Sequence, residues 1–479
     1  QKTCCQSYHP CCQGSKTGCS QSSQAGSAHN PEIVQTRRQI PKRVSVYTLG
    51  CSKNRVDSEH LMRQLKAGGC QVIPDAPEED YPLDALVINT CGFIHDAREE
   101  SVNYILDALQ AKEEGRLGEV LVMGCLSERY KKELEKEMPG VDAFFGVTDI
   151  PLVAAHLGVS YDPALATERV LSTPAHYAYL KLSEGCDRSC AYCAIPLIRG
   201  PHRSRPMNEL LAEAGHLAGQ GVRELILVAQ DTSFYGLDLT GKRELASLME
   251  GLCRIDGIER IRVLYTYPQG FPLDVLRLMA REPKICQYVD IPLQHISDKV
   301  LTAMRRNTTK AETLRLIEDF RTFVPGLCLR TTLMVGHPGE DEQAFLELLD
   351  FVKEARFERM GAFTYSREAG TYGAQHLKDQ VPAKVKRERY GRLMELQKGI
   401  SFAYNQSRVG SVCSVLADYL VIPDSGTVKP TVLGRTQYEA PEVDGFVILE
   451  DAAHIRPGSF VKACITKADE YDLYAQLID

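Results

Sequence analysis

The sequence predicts an α/β protein in three parts: an N-terminal parallel α/β domain, a central incomplete (βα)6 barrel, and a C-terminal small all-β barrel. Three observations carry that reading. From Val44 to about residue 405, β-rich runs alternate with helical patterns, as in parallel sheets crossed over by helices. Two sets of three cysteines fall in loops that follow β-rich runs. Beyond residue 405 the pattern turns to short β-rich runs broken by Gly and Pro, the mark of a small barrel.

Composition bounds the function. The 479 residues, 44% hydrophobic and 25% charged, suit a globular protein of several domains, and no apolar run is long enough for a membrane span. A net charge of −7 argues against a chain that grips nucleic acid over its whole surface. Seventeen cysteines are many, yet the central ones lie singly at apparent strand ends, unlike a disulfide framework. A reducing compartment, the cytoplasm, suits them better. Residues 1–42, rich in Ser, Gln, Gly and Cys with little apolar content, read as a disordered extension that adds no domain. The extension lacks the apolar core of a secretory signal.

The elements follow in order. VSVYTL runs into Gly50 and Cys51, ALVINT into Cys91 and Gly92, and EVLVMG into Cys125; SEHLMRQLKAGG and SERYKKELEKEM carry helical patterns after the first and third runs. This predicts a first domain over residues 43–156, then a linker. YAYLKL, RELILVA, RIRVLY, YVDIPL, LRTTLMVG and RMGAFTY are strand candidates, separated by helical patterns such as MNELLAEAGHLAGQ and DEQAFLELLDFVKEA. Six such units make a barrel over residues 175–405 that falls short of the eight-fold one. SVCSVLADYL, TVLGRTQYEA, FVILED and SFVKACITKADEYDLYAQLI supply the strands of a last domain over residues 406–479.

The cysteines carry the chemistry. Cys186, Cys190 and Cys193 lie in the loop KLSEGCDRSCAYCAIPLIRG, after the first barrel strand. Structural zinc prefers four ligands and ferredoxin-type clusters take a fourth cysteine, so three thiolates in this spacing imply a four-iron cluster with one open corner. Cys51, Cys91 and Cys125 each end a strand of the first domain. Parallel sheets bind ligands at that carboxyl edge, and three cysteines on equivalent loops point to a second cluster.

The CxxxCxxC pattern, with Tyr192 just before its last cysteine, resembles the radical S-adenosylmethionine (SAM) superfamily. Further strand-end groups suit such a cofactor: Gln230, Asp231 and Thr232 after RELILVA, Gln294 and His295 after YVDIPL, and Gly336–Gly339 after LRTTLMVG. Arg330 is a candidate partner for the cofactor carboxylate, while His295 reads more readily as a structural histidine than as a base. Tyr192, Gln230, Gln294 and Arg330 are therefore the candidate SAM contacts.

The whole combination over residues 43–479 resembles the radical SAM methylthiotransferases, which carry an auxiliary cluster and end in a TRAM domain. The resemblance implies that Cys51 (LGCSKNRVDSE), Cys91 (INTCGFIHDAREES) and Cys125 (VMGCLSERY) hold the auxiliary 4Fe-4S cluster. Cys186, Cys190 and Cys193 then hold the radical 4Fe-4S cluster. CSKNRVDSE, IPLQHISDKVLTAMRRNTT, GAFTYSREAGTYGAQ and GRTQYEAPEVDG are similar to the RimO branch, which modifies ribosomal protein S-twelve, rather than to the tRNA-modifying MiaB branch. That likeness implies methylthiolation at the β-carbon of an aspartate, with SAM as radical source and methyl donor. It also implies a low-potential electron donor such as flavodoxin or ferredoxin, and a sulfur source. The alternatives are the MiaB-type tRNA enzyme and a non-catalytic two-cluster electron carrier.

Charge points the same way. Residues 407–479 hold six Lys and Arg against eleven Asp and Glu, which disfavours direct tRNA binding. Glu439, Glu442, Asp444, Glu450 and Asp451 read as an acidic patch that attracts a basic protein.

Overall fold

The structure, a computed structural model, describes residues 43–422 and 430–478, so the Cys-rich stretch 1–42 lies outside the described residues. The first sheet has five parallel strands, β1 (Arg43–Thr48), β2 (Gln71–Pro74), β3 (Leu83–Thr90), β4 (Leu117–Gly124) and β5 (Ala143–Phe144), in the order β2-β1-β3-β4-β5. Side-chain alternation splits its core in two. Leu86, Ile88, Val120 and Val122 pack against helices His95–Glu113 and Cys125–Glu137 on one face. Ala85, Val87, Leu121 and Met123 pack against helices Ser52–Ala67 and Ile150–His156 on the other. Burial on both faces explains why the strands read as continuous apolar runs. The strand order reverses between β1 and β3, which opens a crevice at their carboxyl ends. Cys51 and Cys91 flank it.

The second sheet is also parallel: β6 (Tyr177–Lys181), β9 (Glu224–Val228), β10 (Arg260–Val263), β11 (Ile285–Asp290), β12 (Cys328–Val335) and β13 (Arg359–Thr364), ordered β13-β12-β11-β10-β9-β6. Between β6 and β9, a two-stranded ribbon of β7 (Ser183–Glu184) and β8 (Arg203–Ser204) closes the base of the Cys186–Cys193 loop. The six strands form an incomplete barrel, as the sequence predicts. Tyr177, Tyr179, Ile226, Val228, Leu264 and Tyr288 cluster with Val56 of the first domain and Ala440 of the third.

The flanking domains cap opposite ends. Contacts from the first domain reach the carboxyl ends of barrel strands. Lys181, the last residue of β6, pairs with Asp57; Tyr265, just past β10, lies under Lys53; and Glu368, beyond β13, takes the guanidinium groups of Arg98 and Arg129. The third domain is a closed barrel of β14 (Val412–Val421), β15 (Thr431–Arg435), β16 (Val447–Leu449), β17 (Phe460–Ala468) and β18 (Leu473–Leu477). It meets the amino ends. Arg435 bonds Glu224 at the start of β9, and the Arg262 guanidinium of β10 donates to the carbonyls of Thr436 and Gln437.

Here the acidic patch expected from the sequence is corrected. Glu439 is 1% exposed and sits between Arg359 (3.1 Å) and Arg408 (2.5 Å). Asp444 accepts from the Tyr288 hydroxyl at 2.7 Å and lies 3.6 Å from Arg330, while Glu442 accepts from the Tyr179 hydroxyl at 2.8 Å. Three of the five carboxylates are thus braces to barrel side chains, because the barrel supplies cations at the very face the small domain covers.

Candidate functional site

The Cys186–Cys193 loop is pinned before any ligand is considered. Cys186 N–H donates to the Gly200 carbonyl at 3.0 Å, Cys193 N–H to Cys190 at 3.1 Å, and Ala191 N–H to Met304 at 2.9 Å. All three thiols are partly exposed and free of disulfides. Each sulfur has a donor aimed at it: Arg188 N–H at Cys186 and Ile195 N–H at Cys193, both 3.4 Å, and Arg306 Nη1 at Cys190, 3.5 Å. The Tyr267 hydroxyl is 3.7 Å from the Cys190 sulfur. Such bonds set the potential of thiolate-held clusters.

Arg306 and Tyr267 were not found in the sequence. Arg306 is presented by a tight turn in which both neighbours, Arg305 (φ 55) and Asn307 (φ 51), are left-handed. Its guanidinium also donates to the Tyr192 hydroxyl at 3.2 Å and stacks on the Tyr267 ring at 4.2 Å. Arg306 lies within the quoted stretch IPLQHISDKVLTAMRRNTT, but its place against Cys190 shows only in the tertiary structure.

The predicted cofactor contacts divide. Tyr192 lies against this loop through Arg306. Gln294 sits in a left-handed kink (φ 72) between β11 and β12, and its buried Oε1 has no hydrogen-bond partner. An orphaned acceptor at a strand's carboxyl end suits a ligand N–H. Gln230 follows β9, next to Asp231, which holds Arg188 Nε at 2.8 Å. Arg330 is elsewhere. It is the third residue of β12, in register with Asp290, to which it donates at 2.8 Å. Protein carboxylates already occupy the guanidinium expected to pair with the cofactor. His295 is fully buried, accepts from Ser297 N–H at 3.0 Å, and faces Glu340.

Cys51, Cys91 and Cys125 converge at the first sheet's crevice. Gly50 (φ 90) turns the chain so closely that an added Cβ would lie 2.7 Å from Cys91 Cβ and 3.1 Å from its sulfur. Gly92 is equally confined, against the backbone of Cys125 and Leu126. Asn54 ties the loops together, donating to the carbonyls of Leu49 and Thr90 at 3.0 Å, while its Oδ1 lies 3.7 Å from the Cys125 sulfur.

Arg199 links the two trios. It ends the short helix Ile195–Arg199 that follows the barrel cysteines, and its side chain is 1% exposed. It donates to Asn54 Oδ1 at 2.6 Å and Glu184 at 2.7 Å, and lies 3.4 Å from Asp57. Cys125 packs in one buried cluster with Ala194 and Ile198, the residues just beyond Cys193. Cys125 of the first domain therefore packs on the segment that follows the barrel cysteines.

Burial and neighbouring cations set how these thiols titrate. Burial pushes the Cys125 and Cys193 thiols up to about 12 and Cys186 up to about 11, so these sulfurs keep their protons near neutral pH. Burial would raise Cys51 too, but Lys53 and then Arg199 hold it below the ordinary thiol value. Among the described residues, no three ligating side chains converge as one metal ion requires.

Comparison with known proteins agrees domain by domain. Residues 180–352 match the radical SAM superfamily, residues 43–146 the uncharacterized protein family UPF0004, and residues 409–478 the TRAM domain. The ribosomal protein uS12 methylthiotransferase RimO of Porphyromonas gingivalis is 52% identical over 91% of this chain and 99% of its own length. The RimO of Flavobacterium johnsoniae is 50% identical over 92% of this chain and 100% of its own. Among solved structures, the radical SAM methyltransferase TsrM from Kitasatospora setae aligns with a TM-score of 0.51 at 14% identity, over 67% of this chain and 75% of that one, a likeness of fold alone. With about half its residues shared along nine-tenths of its length, the chain belongs to the RimO family of radical SAM methylthiotransferases.

Proposed function

We propose that this chain methylthiolates the β-carbon of an aspartate in ribosomal protein S-twelve, using one 4Fe-4S cluster on Cys186, Cys190 and Cys193 and a second on Cys51, Cys91 and Cys125. When bound, the first cluster with SAM supplies the one-electron chemistry that an unactivated carbon–hydrogen bond demands, and the second supplies sulfur for the new carbon–sulfur bond. The remaining work belongs to the protein. Arg188 and Ile195 N–H groups and Arg306 bond the three barrel sulfurs and hold the loop in one shape, and the Tyr267 hydroxyl donates to the Arg306 carbonyl at 2.8 Å. Gln294 Oε1, Tyr192 and Gln230 are the proposed SAM contacts; Arg330, already paired with Asp290, acts as a brace. Ala194 and Ile198 pack on Cys125 and so hold the two cysteine loops near one another.

The single observation that carries the proposal is Arg199, rooted beside one trio and bonded to the asparagine that ties the other together. Sulfur insertion needs both clusters at one substrate, and this contact brings their loops together. The reaction also calls for a low-potential electron donor of the flavodoxin or ferredoxin class and a sulfur source.

Paired substitutions test the assignment. Cys190→Ala should abolish both reductive SAM cleavage and methylthiolation of S-twelve. Cys91→Ala should retain SAM cleavage while losing the methylthio product. A Cys91→Ala enzyme that still methylthiolates S-twelve would overturn the role of the second trio. Modification of tRNA in place of S-twelve by the intact enzyme would overturn the substrate.

A further inference from the structure

Lys53 is a buried cation of the site with no carboxylate partner among the described residues. Three lysines among the described residues are buried: Lys53 at 6% exposed, Lys181 at 9% and Lys386 at 8%. Lys181 is held by Asp57 and Glu184, and Lys386 by Asp379. Lys53 has no carboxylate within ion-pair distance and no side-chain hydrogen bond among the described residues. Its ammonium lies 3.4 Å above the centre of the Tyr265 ring.

A ring face does not replace an anion. An ammonium carries three N–H donors and no acceptor, and a ring face engages one direction only. Burying such a charge is costly unless it is paired. The structure nevertheless holds it in place from both sides. Lys53 lies in the first turn of helix Ser52–Ala67, two residues after Cys51. Tyr265 is kept in a left-handed conformation (φ 58), its N–H bonded to Asp290 Oδ2 at 2.9 Å and its carbonyl accepting from Thr232 N–H at 3.0 Å. A strained tyrosine fixed beneath a buried lysine, where the first domain meets the barrel's carboxyl end, marks a built site. Lys53 is also the first of the charges that hold Cys51 below the ordinary thiol value, ahead of Arg199, so it stands beside that trio while its N–H donors have no acceptor among the described residues.

We propose that Lys53 binds the side-chain carboxylate of the target aspartate and so selects an acidic residue for modification. This inference rests on the function proposed above. Carbon–hydrogen cleavage at the β-carbon requires the adjoining carboxylate to be fixed, and a charge-assisted bond from a buried ammonium fixes it. Lys53 is then a specificity residue for the reaction.

The test measures affinity, by calorimetry on the anaerobic holoenzyme, for a synthetic S-twelve peptide with aspartate at the target position and for the same peptide with asparagine. The wild type should bind the aspartate peptide about tenfold or more tightly than the asparagine peptide, the scale of one charge-assisted bond. Lys53→Met should remove that preference, and Lys53→Arg should restore part of it. Equal wild-type affinity for the two peptides would overturn the assignment with no variant needed. So would a Lys53→Met enzyme that keeps the preference, or one that only shifts the paramagnetic signal of the second cluster. A wild-type enzyme that fails to methylthiolate the aspartate peptide or S-twelve itself would overturn the proposed function, and this inference with it.

Discussion

Arg199→Met is the substitution with the most to say about how the two cysteine sets are coupled. The side chain is 1% exposed, beside Asp57 at 6% and Glu184 at 16%. It donates at 2.6 Å to Asn54 and at 2.7 Å to Glu184. Removing one partner of a buried ion pair costs about 3–5 kcal/mol. Lys181 still neutralises part of the remaining charge, since it also pairs with Asp57 and Glu184. The expected loss is therefore at the lower end, about 3 kcal/mol, with Arg199→Lys losing roughly half, because it keeps the charge but not the fork. Denaturant unfolding of the anaerobic protein reads the stability. The ratio of SAM cleaved to S-twelve modified reads the coupling and should rise in the methionine variant. A loss below about 1 kcal/mol together with an unchanged ratio would refute the bridging role.

Three further outcomes are expected. Gly50→Ala forces a Cβ to within 2.7 Å of Cys91 Cβ at a left-handed position, so bound iron should fall toward one cluster per chain while SAM cleavage persists. Glu439→Gln should destabilise the packing of the small barrel on the central one by about 3 kcal/mol, since it strands Arg359 and Arg408, and limited proteolysis should then release the last domain sooner. Acid should act on the same interface. Burial alone would raise Glu224 and Glu439, but Arg435 and Arg262 hold the first at about 2, and Arg408 and Arg359 hold the second at about 2. Folded values below the ordinary 4.5 mean stability that is complete above pH 4.5 and lost as pH falls toward 2. A chain whose unfolding free energy stays flat through that window would contradict those pairings.

Much of the fold was legible because it leaves local patterns. Parallel strands buried on two faces read as apolar runs, and thiolate ligands after such runs mark the carboxyl edge. What escaped was set by distance in sequence. Glu439 and Asp444 look like surface charge until Arg359, Arg408 and Arg330 are folded against them. Arg306, Tyr267 and Arg199 are single side chains delivered by turns and short helices, with no repeat to betray them. Arg330 carried a clue that was there to be read: it lies in the first half of its strand, and in a parallel barrel that half lies away from the cofactor edge.

The central claim is that two iron–sulfur clusters, each held by three cysteines, lie close enough to serve one substrate. The most direct measurement is the paramagnetic resonance spectrum of the fully reduced enzyme, set beside those of C51A/C91A/C125A and C186A/C190A/C193A. Each triple variant should show one cluster, and the intact enzyme should show two with spin–spin broadening absent from either variant. An intact spectrum identical to that of C51A/C91A/C125A, or a simple sum of the two variants without broadening, would contradict it.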